Sequence, residues 1–318
     1  MTNSADAPTP SPSPEADGVG ALPLPEDVPG PASPLSRRAR REASTKTSKA
    51  GRDLPMAIGV GAGLLGLLML GIFVLPPLFV ALGAAVCVIG VWEVSRALQR
   101  HSGVPVPLLP LAVGAAAMPI AASYGGPAAL GVAAVAAALL VTVWNALEGR
   151  ASSLTSIGFS LLTLTWVPLL ASFAFLLFRE ENGPLLLFSL LLLVVSNDTF
   201  GYIFGAWLGK HPMAPRISPK KSWEGFAGSV GGAMVVGVAL CVFVLHLPWW
   251  VGLVLAAATA MAATAGDLAE SMVKRELGIK DMSNLLPGHG GMMDRLDSML
   301  FAVPIGYIVT VLSIGAFA

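Results

Sequence analysis

The sequence predicts an all-α protein: a polytopic membrane helix bundle of about nine transmembrane helices, N-terminus inside and C-terminus outside, behind a disordered N-terminal tail. Three observations predict it. Of the 318 residues, 55% are hydrophobic and only 12% are charged, where soluble domains carry roughly a quarter charged residues. Apolar runs of the length that crosses a hydrocarbon core, about 20 residues, recur from residue 54 almost to the end. The basic residues, finally, fall on alternate connections between those runs.

Residues 1–34 are rich in Pro, Ser, Ala and Asp and hold too few large apolar groups to offset chain entropy. Disorder is expected there. Arg37, Arg38, Arg40, Arg41, Lys46, Lys49 and Arg52 follow, with no apolar signal-peptide core ahead of them. Beside a membrane helix such a segment sets topology and touches anionic lipid; no nucleic-acid partner is expected. The tail takes residues 1–53 and the membrane-embedded domain residues 54–318.

The nine runs lie near 54–73, 78–98, 105–123, 127–147, 156–178, 184–207, 225–246, 249–271 and 296–316. Pro76-Pro77, Gly125-Gly126-Pro127 and Pro248 punctuate the short turns. With the N-terminus inside, eighteen of the nineteen Lys and Arg residues fall on inside segments, and only Arg179 falls outside. Every polar cluster then lies on or near the cytoplasmic face of the cell (inner) membrane. Cys87 and Cys241 sit in apolar runs without a C-x-x-C partner and read as buried thiols.

Three polar stretches interrupt this pattern. "SNDTFGYIFGAWLGKH" places Asn197 and Asp198 inside the sixth run, where an acid is costly and faces a polar cavity or a partner. A hydrogen-bonded pair that locks helices together is the plainer alternative. Gly201, Gly205 and Gly209 recur on one face, a spacing suited to close helix packing. "GAWLGKH" lacks a spacer and the Ser/Thr that a P-loop requires.

"RISPKKSWEGF" forms a short basic loop. Lys220 and Lys221 suit phosphate and Trp223 suits the interface, although topology-setting charge with an aromatic anchor would look the same. In "GDLAESMVKRELGIKDMSNLLPGHGGMMDRLDS", a continuing eighth helix puts Asp267, Glu270, Ser271 and Lys274 on one face. Pro287-Gly288-His289-Gly290-Gly291 cannot be regular helix, and its glycines admit close backbone approach. Asp294, Asp297 and Ser298 then share a face of the ninth helix. Hard oxygen ligands from two helices, beside an Arg and two Lys, match a divalent cation with bound phosphates; a charge-paired helical hairpin is the alternative. No Cys/His set has zinc spacing.

A metal site with phosphate-binding cations at the cytoplasmic leaflet suggests phosphoryl or nucleotidyl transfer to a lipid. Residues 271–297 resemble the signature of the phosphatidate cytidylyltransferases, the CDP-diacylglycerol synthases. Its positions are met by Ser271, Lys274, Arg275, Lys280, Asp281, Ser283, Leu286, Pro287, His289, Gly290, Gly291, Asp294, Arg295, Leu296 and Asp297. "SPKKSWEG" and "NDTFGY" are also similar to the family, so the likeness covers most of residues 184–318. It implies attack of the phosphate of phosphatidic acid on the α-phosphorus of CTP, forming CDP-diacylglycerol and pyrophosphate in phospholipid biosynthesis.

On that resemblance, Asp294 and Asp267 are the expected Mg²⁺ ligands, one from each helix, with Asp198 and Asp297 as further ligands or orienters and one ion or two. Lys274, Arg275 and Arg295 would hold CTP phosphates or the leaving pyrophosphate, and Lys220 and Lys221 the phosphatidate head group. Lys280, Asp281 and His289 would join the binding loop, with the Gly290-Gly291 backbone cradling phosphate. The family also implies a homodimer. Three rivals are weaker. A CTP-dependent polyprenol kinase would not need the complete signature. A CDP-alcohol phosphotransferase needs D-G-x-x-A-R, absent here. An ion-coupled transporter using Asp198 and Asp267 would be expected to show internal repeats.

Overall fold

The computed structural model describes residues 54–149, 153–285 and 290–317. The tail expected over residues 1–53, and His289 of the signature, lie outside the described residues. The chain forms α1 (Leu54–Phe73), α2 (Pro76–Ser102), α3 (Leu108–Glu148), α4 (Ser153–Leu164), a π-helical turn (Thr165–Leu169) and α5 (Leu170–Arg179). Then come α6 (Gly183–Leu208), strands β1 (Pro212–Ala214) and β2 (Ser218–Ser222), α7 (Trp223–Phe243), α8 (Trp249–Glu276) and α9 (Met293–Phe317).

Among the described residues, seven helical stretches are long and apolar enough to cross a membrane. Large apolar side chains such as Leu147, Leu154, Trp207 and Phe243 are each more than three-quarters exposed. Lipid rather than water is the solvent that suits such a surface. The count differs from the nine expected runs for two reasons. Runs 105–123 and 127–147 are two helical segments that meet at a kink, where Gly126 (φ 73°, ψ −159°) leaves the helical conformation, so that Leu108–Glu148 counts as one stretch, α3. Only glycine adopts that conformation readily. The helix α1 runs over 20 residues, Leu54–Phe73, of which only Gly61–Phe73 is counted, as a shorter apolar helix.

Local chemistry sets the helix ends. Pro76 and Pro77 open α2, where a missing N–H costs nothing. Gly103 (φ 68°) closes it, returning its N–H to the Gln99 carbonyl at 2.9 Å. Pro168 cannot donate within its helix, and the π-helical turn absorbs it, so residues 154–179 remain one continuous stretch. Ser222 starts α7 by accepting the Gly225 N–H at 3.1 Å. The basic loop expected before it is an antiparallel ribbon, with Pro212 opposite Ser222 and Ala214 opposite Ser218.

One core joins α2, α3, the α4–α5 stretch and α9 around Val91, Leu111, Val167 and Met293, all buried. Phe79 stacks on Phe175 with ring centroids 4.7 Å apart. A second cluster joins α6, α7 and α8 through Leu193, Ala233, Leu255, Ala256 and Ala260. There the helices approach on small residues. A Cβ on Gly237 would lie 2.6 Å from the Gly252 carbonyl oxygen, so α7 and α8 touch backbone to backbone. Gly252→Val should therefore cost about 1–3 kcal/mol and lower the melting temperature. Gly231→Ala, at a position with nothing within 4 Å, should not. Equal melting of the two variants would show that the close contact contributes nothing.

Candidate active site

The last turns of α8 carry Asp267, Glu270, Ser271 and Lys274 on one face, as the helical spacing requires. Ser271 Oγ donates to Asp267 at 3.2 Å. The Lys274 ammonium lies 3.2 Å from Glu270 and 2.9 Å from Asp294 at the start of α9. Asp294 also accepts the N–H groups of Met282 at 3.0 Å and Gly291 at 2.8 Å. Its carboxylate therefore closes the connection between α8 and α9 on itself. Both Asp294 oxygens accept from protein donors, and the Gly291 N–H points to the Asp294 carboxylate. The glycine is needed there: a Cβ at Gly291 would meet Asp294 at 2.9 Å and Glu93 at 3.0 Å.

Glu93, from the middle of α2, is the partner that sequence reasoning missed. Its side chain is buried at 1% exposure. It accepts the Met292 N–H at 2.9 Å, the Met293 N–H at 2.8 Å and the Ser283 hydroxyl. Two of these donors belong to the unpaired N–H groups at the start of α9, where a negative charge also meets the positive end of the helix dipole. The available signal was an acid within an apolar run, "GVWEVS".

Beside this hairpin, α6, α7 and β2 enclose a cleft of about 290 Å³ lined by Asn197, Asp198, Lys220, Lys221, Asp267 and Ser298, among others. Lys221 forms an ion pair with Asp267 across it. Asn197 Nδ2 donates to Asp198 at 3.1 Å. The charges of Asp267 and Asp297 act on Asp198, and Glu270 lies beside Asp297. Glu270 is fully buried, with the Lys274 ammonium as its charged neighbour, and Asp297 is half-buried. Carboxylates placed side by side in such a setting require a cation or a shared proton. Carboxylate oxygens from three helices are the donors that a hard divalent ion takes. Among the described residues, however, no three His, Cys, Asp or Glu side chains gather as a metal-holding group.

Other expected residues stand apart. Arg275 Nε donates to the Ile217 carbonyl at 3.3 Å, tying the end of α8 to the β1–β2 ribbon. Lys280 and Arg295 are exposed. Asp281 lines a different cavity, together with Glu93 and Ser283. Glu224 was also missed; it accepts the N–H groups of Lys210 at 3.1 Å and His211 at 3.2 Å and pairs with the His211 ring, fixing the turn from α6 into the ribbon.

A model of the cytidylyltransferase family matches residues 56–313. The chain is similar to a phosphatidate cytidylyltransferase of Mycobacterium bovis, 38% identical over 296 residues, covering 89% of this chain and 96% of the relative. It is 38% identical over 307 residues to one from Mycobacterium leprae, covering 91% and 96%. Over 175 residues it is 36% identical to one from Staphylococcus epidermidis, covering 54% and 65%.

Truncating Glu93 leaves two backbone N–H groups and the Ser283 hydroxyl without acceptors, each at about 1–3 kcal/mol. Glu93→Ala should lower the melting temperature and expose the α8–α9 connection to protease. Glu93→Gln, which keeps an acceptor oxygen, should fall between. A Glu93→Ala protein as stable and protease-resistant as the parent would refute this account.

Proposed function

The chain belongs to the cytidylyltransferase family, and we infer that it works as a nucleotidyltransferase on a lipid phosphate. It transfers the cytidylyl group of CTP to phosphatidic acid. A phosphate oxygen of the lipid bonds to the α-phosphorus, the bond from that phosphorus to the β-phosphate bridge breaks, and pyrophosphate leaves with CDP-diacylglycerol as the other product. The observation that carries this reading is the cleft of Asp198, Asp267, Lys220 and Lys221 beside the Lys274–Glu270–Asp297 cluster. Two polyanions must meet there, and both signs of charge are on hand.

Lys220 and Lys221, on the cleft wall, receive the phosphatidate head group. Lys274, Arg275 and Arg295 hold the nucleotide phosphates or the leaving pyrophosphate, and Lys280 and Asp281 with His289, Gly290 and Gly291 frame the binding loop. Asp294 and Asp267, with Asp198 and Asp297 as further ligands or orienters and Glu270 behind them, would hold a divalent cation, Mg²⁺, as one ion or two. Such an ion, when bound, neutralises phosphate charge. Asp294 also keeps the loop and Lys274 in register. No strong general base is needed, because a phosphate monoester is already ionised near neutral pH. Holding the two phosphates in line supplies much of the rate.

In the membrane, α3 counts as two crossings joined at Gly126 and α1 as one. The N-terminus then lies inside, with the cleft on the cytoplasmic face of the cell membrane. The distribution of Lys and Arg supports this orientation. Assembly as a homodimer rests on the family resemblance alone.

The test is turnover of purified protein in liposomes with phosphatidic acid, α-labelled CTP and Mg²⁺. Label should enter the lipid phase as pyrophosphate is released, and Asp267→Asn should reduce the rate by about 10²–10³-fold without changing the melting temperature. Asp294→Asn should lower both. Label reaching the lipid from γ-labelled CTP instead would establish kinase chemistry and overturn the assignment.

A further inference from the structure

A second cavity, of about 720 Å³, lies between the end of α2 and the α8–α9 connection. It shares no lining residue with the cleft described above. Its α2 wall is cationic: Arg96 and Arg100 stand four residues apart, on one helix face, followed by His101. The opposite wall offers the Asn284 amide from the connection, next to Ser283, whose hydroxyl hydrogen goes to Glu93. Trp92 holds Arg96 in place, with the guanidinium carbon 5.2 Å from the ring centroid.

Like charges at this spacing repel, so an acid would be expected to separate them. Two carboxylates line the cavity. Glu93 is committed to Ser283, Met292 and Met293, and the exposed Asp281 forms no ion pair with either arginine. Among the described residues, Arg96 and Arg100 have no carboxylate within ion-pair distance. Two guanidinium forks and polar groups facing them across a cavity form a receptor for oxyanions.

We propose that Arg96, Arg100 and Asn284 form a second anion-binding site, taking a phosphate-bearing ligand in the cavity between the end of α2 and the α8–α9 connection. The shared chemistry is a phosphate group, which a lipid head group or a free nucleotide can supply. Through Asn284, the neighbour of the Ser283 that Glu93 holds, occupancy bears on the connection.

Arginine modification of the wild-type protein tests this without relying on turnover. Phenylglyoxal labelling of Arg96 and Arg100, read by peptide mass spectrometry, is followed in phosphatidylcholine nanodiscs alone, with phosphatidic acid added, or with CTP added. Labelling of both residues should slow about ten-fold in at least one of the added-ligand arms. Protection by phosphatidic acid identifies a lipid head group; protection by CTP identifies a free nucleotide. Unchanged labelling in both arms overturns the site. The same protection must persist in Asp267→Asn, which removes the catalytic cleft's chemistry; its disappearance there would assign the effect to that cleft instead.

Discussion

The active-site end of this bundle depends on one buried carboxylate. Glu93 reaches from α2 to the first N–H groups of α9 and to Ser283, some 190 residues further along the chain. Without it, the connection that returns α8 to α9 would have to satisfy a helix N-terminus by itself. With it, Gly291 can pack between two carboxylates, Asp294 can close on Met282 and Gly291, and Lys274 acquires a fixed anion. The core around Val91 and Met293 and the polar hairpin above it are thus anchored by the same residue.

The second constraint is electrostatic. Asp198, Asp267, Glu270 and Asp297 sit within or beside apolar helices, where an isolated charge is expensive. Lys221 and Lys274 offset part of that repulsion, each placed by an element of its own. Lys221 comes from the ribbon strand β2, and Lys274 from the same helix face as Glu270. The two pairs differ in setting: Lys221 meets Asp267 where both side chains stay partly exposed, whereas Lys274 sits with Glu270 and Asp294 in a nearly dry cluster, where removing either sign would leave the other uncompensated.

Much of this was legible from the sequence, and what was not has a common cause. The apolar runs, the shared face of Asp267, Glu270 and Lys274, and the packing role of Gly201 and Gly205 follow from periodicities within single helices. Asp198 announced itself as an acid inside an apolar run. Glu93 carried the same signal but without neighbouring polar residues, and its partners lie too far along the chain for any local pattern to name. The hydrogen bonds that Asp294 accepts from Met282 and Gly291 escaped for the same reason: they join backbone groups of an irregular connection that no periodicity places. The β1–β2 ribbon was hidden because "ISPKKS" has no alternating apolar pattern, its pairing resting on backbone groups and on Glu224. The break at Gly125-Gly126-Pro127, by contrast, was legible: Gly126 leaves the helical conformation and kinks α3 there.

The glycines between α6 and α7 have a bearing on selectivity. A Cβ at Gly225 would come within 3.0 Å of the Gly205 Cα, and one at Gly201 within 3.3 Å of the Ser229 Cβ. Behind the cleft, α6 and α7 therefore meet almost main chain against main chain, and main chain has no rotamers to exchange. The spacing of these two helices is insulated from drift in the lipid-facing side chains. On the proposed reading, discrimination among head groups then falls to the side chains that line the cleft, Tyr202, Lys220, Lys221 and Phe226 among them.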